Sequence, residues 1–272
     1  MRHRPSEASL NLIFDSIATE HSTLFNCYQS TQPPRTEAAL KRATYLASFI
    51  RGEPAQAIFI GLFKVEGYEL RSAQEIAERP LHKELVRLGM SIDPNPSREN
   101  QIAEFSLKDT EWGENLKERL VIYWPGNDRS WYQWGARGLF ATAAIALKKL
   151  ERTPAPAWNE LCLTLAELNV MPRATQDALR QWRGVYLIAD IQDRRQYVGS
   201  AASSENILQR WQEYATSGHG GNKHLRGRDP QNFRFSILER VSPDAQHKDV
   251  IRLEANWKRC LLSRWPYGLN EN

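Results

Sequence analysis

Residues 184–199 read GVYLIADIQDRRQYVG. Two short runs in this stretch, Gly184-Val185-Tyr186 and Tyr197-Val198-Gly199, each pair a glycine with a tyrosine, and the segments beside them are β-branched and aromatic. Residues 192–196 between them are polar and turn-forming, so the stretch predicts an antiparallel hairpin. Strand side chains alternate with period two, which puts Gly184, Tyr186 and Ile188 on one face, and Tyr197 can project onto that face from the partner strand. Two phenols would then share one surface.

The segments C-terminal to the hairpin extend this pattern. Ser203 or Ser204 is placed to cap a helix that ends at Ser217-Gly218. In that helix Ile207, Trp211 and Ala215 are four apart, and Arg210 and Tyr214 form a second stripe beside them. A guanidinium fork matches phosphoryl oxygens, although an Arg-Tyr pair by itself usually belongs to a solvated face. Residues 218–224, GHGGNKH, form a glycine-rich loop whose backbone amides can approach a phosphate closely, with Lys223 adding charge. His219 and His224 lack a third ligand at metal-binding spacing, which favours structural or phosphate-contact roles. Residues 233–239 return as a strand. Residues 248–264 predict a helix with Val250, Glu254, Trp257 and Leu261 on one face. A lone glutamate on an apolar stripe is costly unless it meets a cation or a metal, and a structural ion pair with arginine is the competing reading.

As an ordered set these motifs resemble the GIY-YIG nuclease family, with valine in place of isoleucine in both runs. The resemblance covers about residue 183 to the C-terminus. It implies a small antiparallel sheet flanked by helices and a metal-dependent endonuclease that hydrolyses phosphodiester bonds, with DNA as the partner. Residue by residue, it implies that Arg210 is the family's arginine and that Tyr214 matches the histidine or tyrosine that some members carry one turn later, both facing the scissile phosphate. Glu254 would be the single metal-binding glutamate, holding one Mg²⁺ or Mn²⁺ ion. Tyr186 would orient or deprotonate the attacking water, and Tyr197 would position the phosphate or the water network. Gly199, His219, Lys223 and Asn270, the last within Gly268-Leu269-Asn270, complete the expected substrate contacts.

Composition agrees with a globular nucleic-acid enzyme. The chain has 272 residues, 41% hydrophobic and 25% charged, which is ample for one large or two medium packed domains. Residues 183–272 hold 14 Lys+Arg against 10 Asp+Glu, whereas residues 1–182 hold 22 of each. The whole net charge of +4 therefore sits in the C-terminal third, as expected of a phosphate-backbone binder. The three cysteines are widely spaced, which excludes a disulfide framework and a CxxC zinc site. The longest apolar run, at 139–147, is too short for a bilayer, and the opening residues lack a signal-peptide core, so a soluble cytoplasmic protein is expected.

Upstream of the hairpin the expected order is α+β and non-alternating, with no phosphate loop or dinucleotide fingerprint. Residues 24–29 read as a strand. Thr36 reads as the cap of a helix reaching Gly52 through Leu40, Ala43, Ala47 and Ile50. Residues 57–65, 102–107, 119–124 and 130–134 read as strands, and 72–89 as a helix broken at Pro80. Residues 1–150 are thus a β-rich targeting domain, weakly similar to the barrels of PUA-like modules. Residues 139–150, 158–168 and 174–182 read as helices, so 151–182 is expected to be a helical spacer before the nuclease domain, 183–272. Tyr123, Trp124, Trp131, Tyr132 and Trp134 cluster on expected adjoining strands, where core packing competes with a base-stacking pocket around Trp131 and Trp134. The functional expectation is a restriction or defence endonuclease, modified-base directed, which needs a homodimer or two sequential events to cut a duplex. A structure-selective repair or recombination nuclease and a noncleaving binding module are the alternatives.

Overall fold

The computed structural model describes residues 1–92, 101–125, 131–137, 140–149, 155–202 and 204–271. The chain divides into two compact units, Met1–Arg152 and Thr153–Asn272. Among the described residues no helix is long and apolar enough to cross a membrane.

In the first unit β1 (Arg2–His3) is followed by α1 (Ala8–Glu20), α2 (Ser22–Ser30), α3 (Pro34–Leu40) and β2 (Tyr45–Arg51). Next come β3 (Gln56–Ser72), α4 (Ala73–Glu78), α5 (Pro80–Arg87), β4 (Gln101–Asp109), β5 (Leu120–Tyr123) and β6 (Thr142–Ile145). The strands make one six-stranded sheet ordered β1-β2-β3-β5-β6, with β4 paired to β3. Long β3 is the spine. Its first residues pair with β5, its second half pairs with β4, and β2 runs along its first half and middle. The Ser72 hydroxyl accepts from the Glu75 N–H while the Glu75 carboxylate accepts from the Ser72 N–H, a reciprocal cap that ends the strand and starts α4.

Four local expectations fail here, each because tertiary pairing outweighs local pattern. Residues 24–29 belong to α2, whose Leu24, Phe25 and Gln29 are buried. The aromatic rings there pack against His3 and Phe14. The helix starting near Thr36 stops at Leu40. Thr36 lies inside it rather than at its cap, and Pro34 at the first turn supplies the rigid start. Leu46, Ser48 and Ile50 are buried alternately, so Ala47 and Ile50 had matched helical spacing by coincidence. Residues 131–134 form no strand, and Ser130 lies outside the described residues. Within the expected helix 139–150, residues 142–145 are strand β6, laddered onto β5, whereas Leu139 and Leu150 lie outside the described residues.

The second unit contains β7 (Cys162–Thr164), α6 (Leu165–Val170), α7 (Arg173–Gln181), β8 (Arg183–Asp190), β9 (Gln196–Ala201), α8 (Ile207–Ser217), β10 (Phe233–Val241) and α9 (His247–Cys260). Its four-stranded antiparallel sheet is ordered β7-β10-β8-β9, so β9 is an edge strand. The expected helical spacer is corrected: Cys162–Thr164 pairs with β10 inside this sheet, and Leu165 and Leu179 on the following helices join the core. The predicted hairpin is β8–β9. Its turn is pinned by Arg228, whose guanidinium reaches Asp190 at 2.6 Å and Asp193 at 2.9 Å. Tyr186, Ile188, Trp211, Tyr214, Phe233 and Phe235 form the wholly buried centre, each large side chain contributing about 1.5–3 kcal/mol by leaving water.

Candidate active site

The hairpin register places Tyr186 opposite Gly199 and Ile188 opposite Tyr197. Directly paired residues share a face, so the phenols of both tyrosine runs do lie on one side of the sheet. Both glycines have steric causes. Gly184 has φ +151°, and a β-carbon there would meet the Glu239 carbonyl oxygen at 2.0 Å. A β-carbon on Gly199 would stand 2.5 Å from the Tyr186 hydroxyl oxygen. Gly199 is therefore the bed of the Tyr186 ring. Gly199→Ala is expected to destabilise the unit by about 1–3 kcal/mol through overpacking. An unchanged denaturation midpoint would show that Tyr186 is free to move away.

Helix α8 lies over this face. Its cap is Asn206, which accepts from the Gln209 N–H, in place of the expected Ser203 or Ser204. Ser203 is outside the described residues. The helix ends, as its sequence predicts, at Gly218 in the left-handed region. Tyr214 is brought to Tyr186 with 3.1 Å between hydroxyl oxygens, and its ring centroid is 6.0 Å from that of Tyr197. One turn earlier Arg210 places its guanidinium 5.9 Å from the Tyr214 ring centroid. It is paired to Glu213 at 2.5 Å, and Glu205 lies 3.9 Å away. The Arg210 Nε is buried without a hydrogen-bond partner.

Burial pushes the Tyr186 phenol well above its ordinary range, and neighbouring Tyr197 adds to the rise. Arg210 and the hydrogen bond from Tyr214 only partly offset it. Burial likewise lifts Tyr214, with Tyr186 adding to it. A raised pKa favours the protonated phenols, a state in which they can donate and orient, and this suits the orienting part of the role expected of Tyr186.

Ser200 follows Gly199 and, by alternation, faces the other side of the sheet. There its hydroxyl donates to Glu254 Oε2 on α9. Lys258 Nζ lies 2.7 Å from Glu254 Oε1, so the ion-pair partner is a lysine and not an arginine. Trp257 Nε1 donates to Glu239 at 2.8 Å and ties α9 to β10. Tyr186, Tyr214 and Arg210 thus occupy one flank of edge strand β9, and Glu254 with Lys258 occupies the other. Among the described residues no hydrogen bond or ion pair joins the two groups directly.

Asn270 plugs part of the same edge. Its Nδ2 donates to the Val198 carbonyl at 2.7 Å. Its Oδ1 accepts from the Val198 N–H at 2.9 Å and from the Ser263 hydroxyl at 2.7 Å. These bonds fit Asn270 to a positioning role, the alternative to a phosphate contact. In the glycine-rich loop, Gly220 lies against the Tyr214 ring, and His219 Nδ1 accepts from Gly221 at 3.0 Å. Exposed Lys223 meets Glu271 at 3.2 Å, and the His224 ring stacks on Trp265 at 4.7 Å. The structure does not bring His219, Lys223 or His224 to the phenols or to Glu254 by any bond. Ser200, Glu213 and Lys258 went unread in the sequence. Of these, Lys258 and Glu213 had a signal, the i+4 spacing after Glu254 and the i+3 spacing after Arg210.

Glu254 has the chemistry for a hard divalent cation: a part-buried carboxylate beside an exposed groove. Among the described residues no three His, Cys, Asp or Glu side chains gather, so an ion there would draw its remaining ligands from water and phosphate oxygens, which suits Mg²⁺ or Mn²⁺.

In the first unit the five aromatics part company. Trp124 is buried, while Tyr123 and Trp131 are about half exposed. Trp134 carries Arg42 over its ring at 5.5 Å. Together with Tyr132, Phe49, Trp124 and Phe140, Trp134 lines a cavity of about 480 Å³, whereas Trp131 lines a different one.

Arg210 and the buried hydroxyls thus lie on one flank of an edge strand, and the Glu254 carboxylate lies on the other. Residues 183–267 match the model of the GIY-YIG catalytic domain. The C-terminal unit therefore carries a GIY-YIG catalytic domain, and the protein is a nuclease. Among solved structures the chain is similar to a mutant form of the catalytic domain of intron endonuclease I-TevI, at 23% identity and a TM-score of 0.28, over 34% of this chain and 94% of that one. No curated protein matches the chain.

Proposed function

We propose that the protein is a metal-dependent DNA endonuclease whose first unit selects the target, in the manner of a restriction or defence enzyme. The observation that supports this reading is the match of residues 183–267 to the GIY-YIG catalytic domain, with Arg210 and the phenols on one flank of β9 and Glu254 on the other. Arg210 neutralises the charge that develops on the phosphoryl oxygens, exchanging its pairing with Glu213 for the substrate. Tyr186, fixed by Tyr214 and Gly199, donates to the phosphate or holds the attacking water, and Tyr197 lines the same face. Glu254, positioned by Ser200, would hold the divalent ion, with Lys258 moving off Oε1. When bound, that ion supplies Lewis-acid stabilisation of the phosphate and of the leaving oxygen. One such site cuts one strand, so a duplex break takes a homodimer or two successive events.

For target selection we assign the cavity around Trp134, whose aromatic lining offers a base a stacking surface, since base–aromatic stacking contributes about 1–3 kcal/mol. Exposed Arg42 at its rim matches a phosphate. Trp134→Ala is expected to lower discrimination between matched modified and unmodified DNA by about ten-fold, with Trp131→Ala as the comparison outside that cavity. The measurement is digestion of both substrates with Mg²⁺ by each variant. Equal selectivity in wild type and Trp134→Ala would return the aromatics to a packing role. Metal-dependent nicking of branched substrates in strong preference to plain duplex would favour a repair or recombination nuclease.

A further inference from the structure

Beyond the reacting groups, the second unit has a groove along the outer side of α9 and the residues after it, with a volume of about 620 Å³. Arg252, Lys258, Arg259 and Arg264 line it with Trp265 and Tyr267, and no carboxylate lines it. Helical spacing explains the row on α9, because residues 252, 255, 256 and 259 share a face. Two of the arginines have no carboxylate to answer them. Arg259 donates to the neutral amide of Asn256 at 2.8 Å, and neither it nor Arg264 forms an ion pair among the described residues. Arg252 lies 3.9 Å from Asp249, with its side chain 83% exposed. The aromatics differ in their freedom. The Trp265 ring is held between neighbours, with the His224 ring at 4.7 Å and the Arg195 guanidinium at 5.3 Å, so it forms a fixed wall. Tyr267 is 79% exposed, which is unusual for so large an apolar surface without a partner.

Lys258 joins this groove to the chemistry, because it is among the lining residues and its ammonium sits 2.7 Å from Glu254 Oε1. A row of cations, two of them without a carboxylate partner among the described residues, beside an exposed ring and ending at Glu254, has the charge and chemistry of a track for a polynucleotide strand. We propose that this groove binds the DNA strand flanking the scissile phosphate. Arg252, Arg259 and Arg264 take consecutive phosphates, and Tyr267 meets an unstacked or end base. This assignment rests on the nuclease reading and adds the path by which the substrate reaches Glu254. It also gives the strand a means of displacing Lys258, since a phosphate entering the groove competes with Glu254 for the same ammonium.

The test uses the full chain and a short labelled DNA duplex with a single-stranded overhang, in chelator, so that binding is read without cleavage. Arg252→Ala/Arg259→Ala/Arg264→Ala should weaken binding by at least about ten-fold and reduce the magnitude of the slope of log affinity against log salt by about two to three, the counterion release of three phosphate contacts. Tyr267→Ala should weaken binding to the overhang substrate by about ten-fold and leave a blunt duplex nearly unaffected. The control is Arg51→Ala/Lys83→Ala/Arg87→Ala, the same loss of charge at exposed positions of the first unit, with thermal melts establishing that each variant is folded. A groove variant with wild-type affinity and slope overturns the proposal, as does a control that lowers both equally. The nuclease reading is judged separately, by wild-type nicking with Mg²⁺ or Mn²⁺. Its absence would sink that reading whatever the binding curves show.

Discussion

Glu254→Gln is expected to abolish metal-dependent nicking, a fall of at least about 1000-fold in single-turnover rate, while DNA binding and the fold persist. The change keeps the size and shape of the side chain and removes only the charge that a divalent ion and Lys258 require. Several kcal/mol of transition-state charge stabilisation depend on the bound ion, which converts to a rate loss on that scale. The structural cost is intermediate. The Glu254–Lys258 pair is mostly buried, with 14% and 17% of the side chains exposed, so neutralising Glu254 costs more than the roughly 1 kcal/mol of an exposed pair and less than the about 3–5 kcal/mol of a fully buried one. An amide in its place still accepts from Ser200. Nicking at the wild-type rate across Mg²⁺ and Mn²⁺ would remove Glu254 from the site, and a variant that melts far below wild type would make the ion pair its real role.

The second large effect is at Arg210. Arg210→Ala should lower the bound-state cleavage rate by at least about 100-fold, the scale of losing one donor aimed at developing charge. The buried, unpartnered Nε and the surface pairing with Glu213 describe a guanidinium held at the site but free to exchange its partner. Tyr186→Phe should also lower the rate by about 100-fold, for a different reason. It removes the hydroxyl that stands 3.1 Å from Tyr214 and leaves that buried phenol without this partner, at about 1–3 kcal/mol of stability. The two can be separated by comparing rate and melting temperature. Arg210→Ala should change the rate and hardly the melt, Tyr186→Phe both. An affinity loss with an unchanged bound-state rate would instead assign either residue to ground-state binding.

The C-terminal unit was legible because its signals are local. The glycines of the hairpin, the alternation that puts Tyr186 and Tyr197 on one face, the Arg210–Tyr214 spacing and the apolar stripe holding Glu254 all follow from periods of two and 3.6 residues, and from steric demands at single positions. Gly184 and Gly199 are the clearest case: each stands where a β-carbon would collide, with the Glu239 carbonyl or the Tyr186 ring. Neither collision partner could be named from sequence spacing alone. The first unit was read less well because strands such as β6 and the residues of α2 have no strong pattern of their own. Their state is settled by ladder partners and by packing against distant segments, Leu120–Tyr123 for β6 and the His3–Phe14 aromatics for α2. Tertiary structure alone decided which side of the edge strand each functional group occupies. Ser200 meets Glu254, Asn270 spends its amide on Val198, and burial between the sheet and α8 raises the pKa of the Tyr186 phenol. Residue types and spacing determined which groups are present, while desolvation and partner geometry, which exist only in the folded chain, determined what each of them can do.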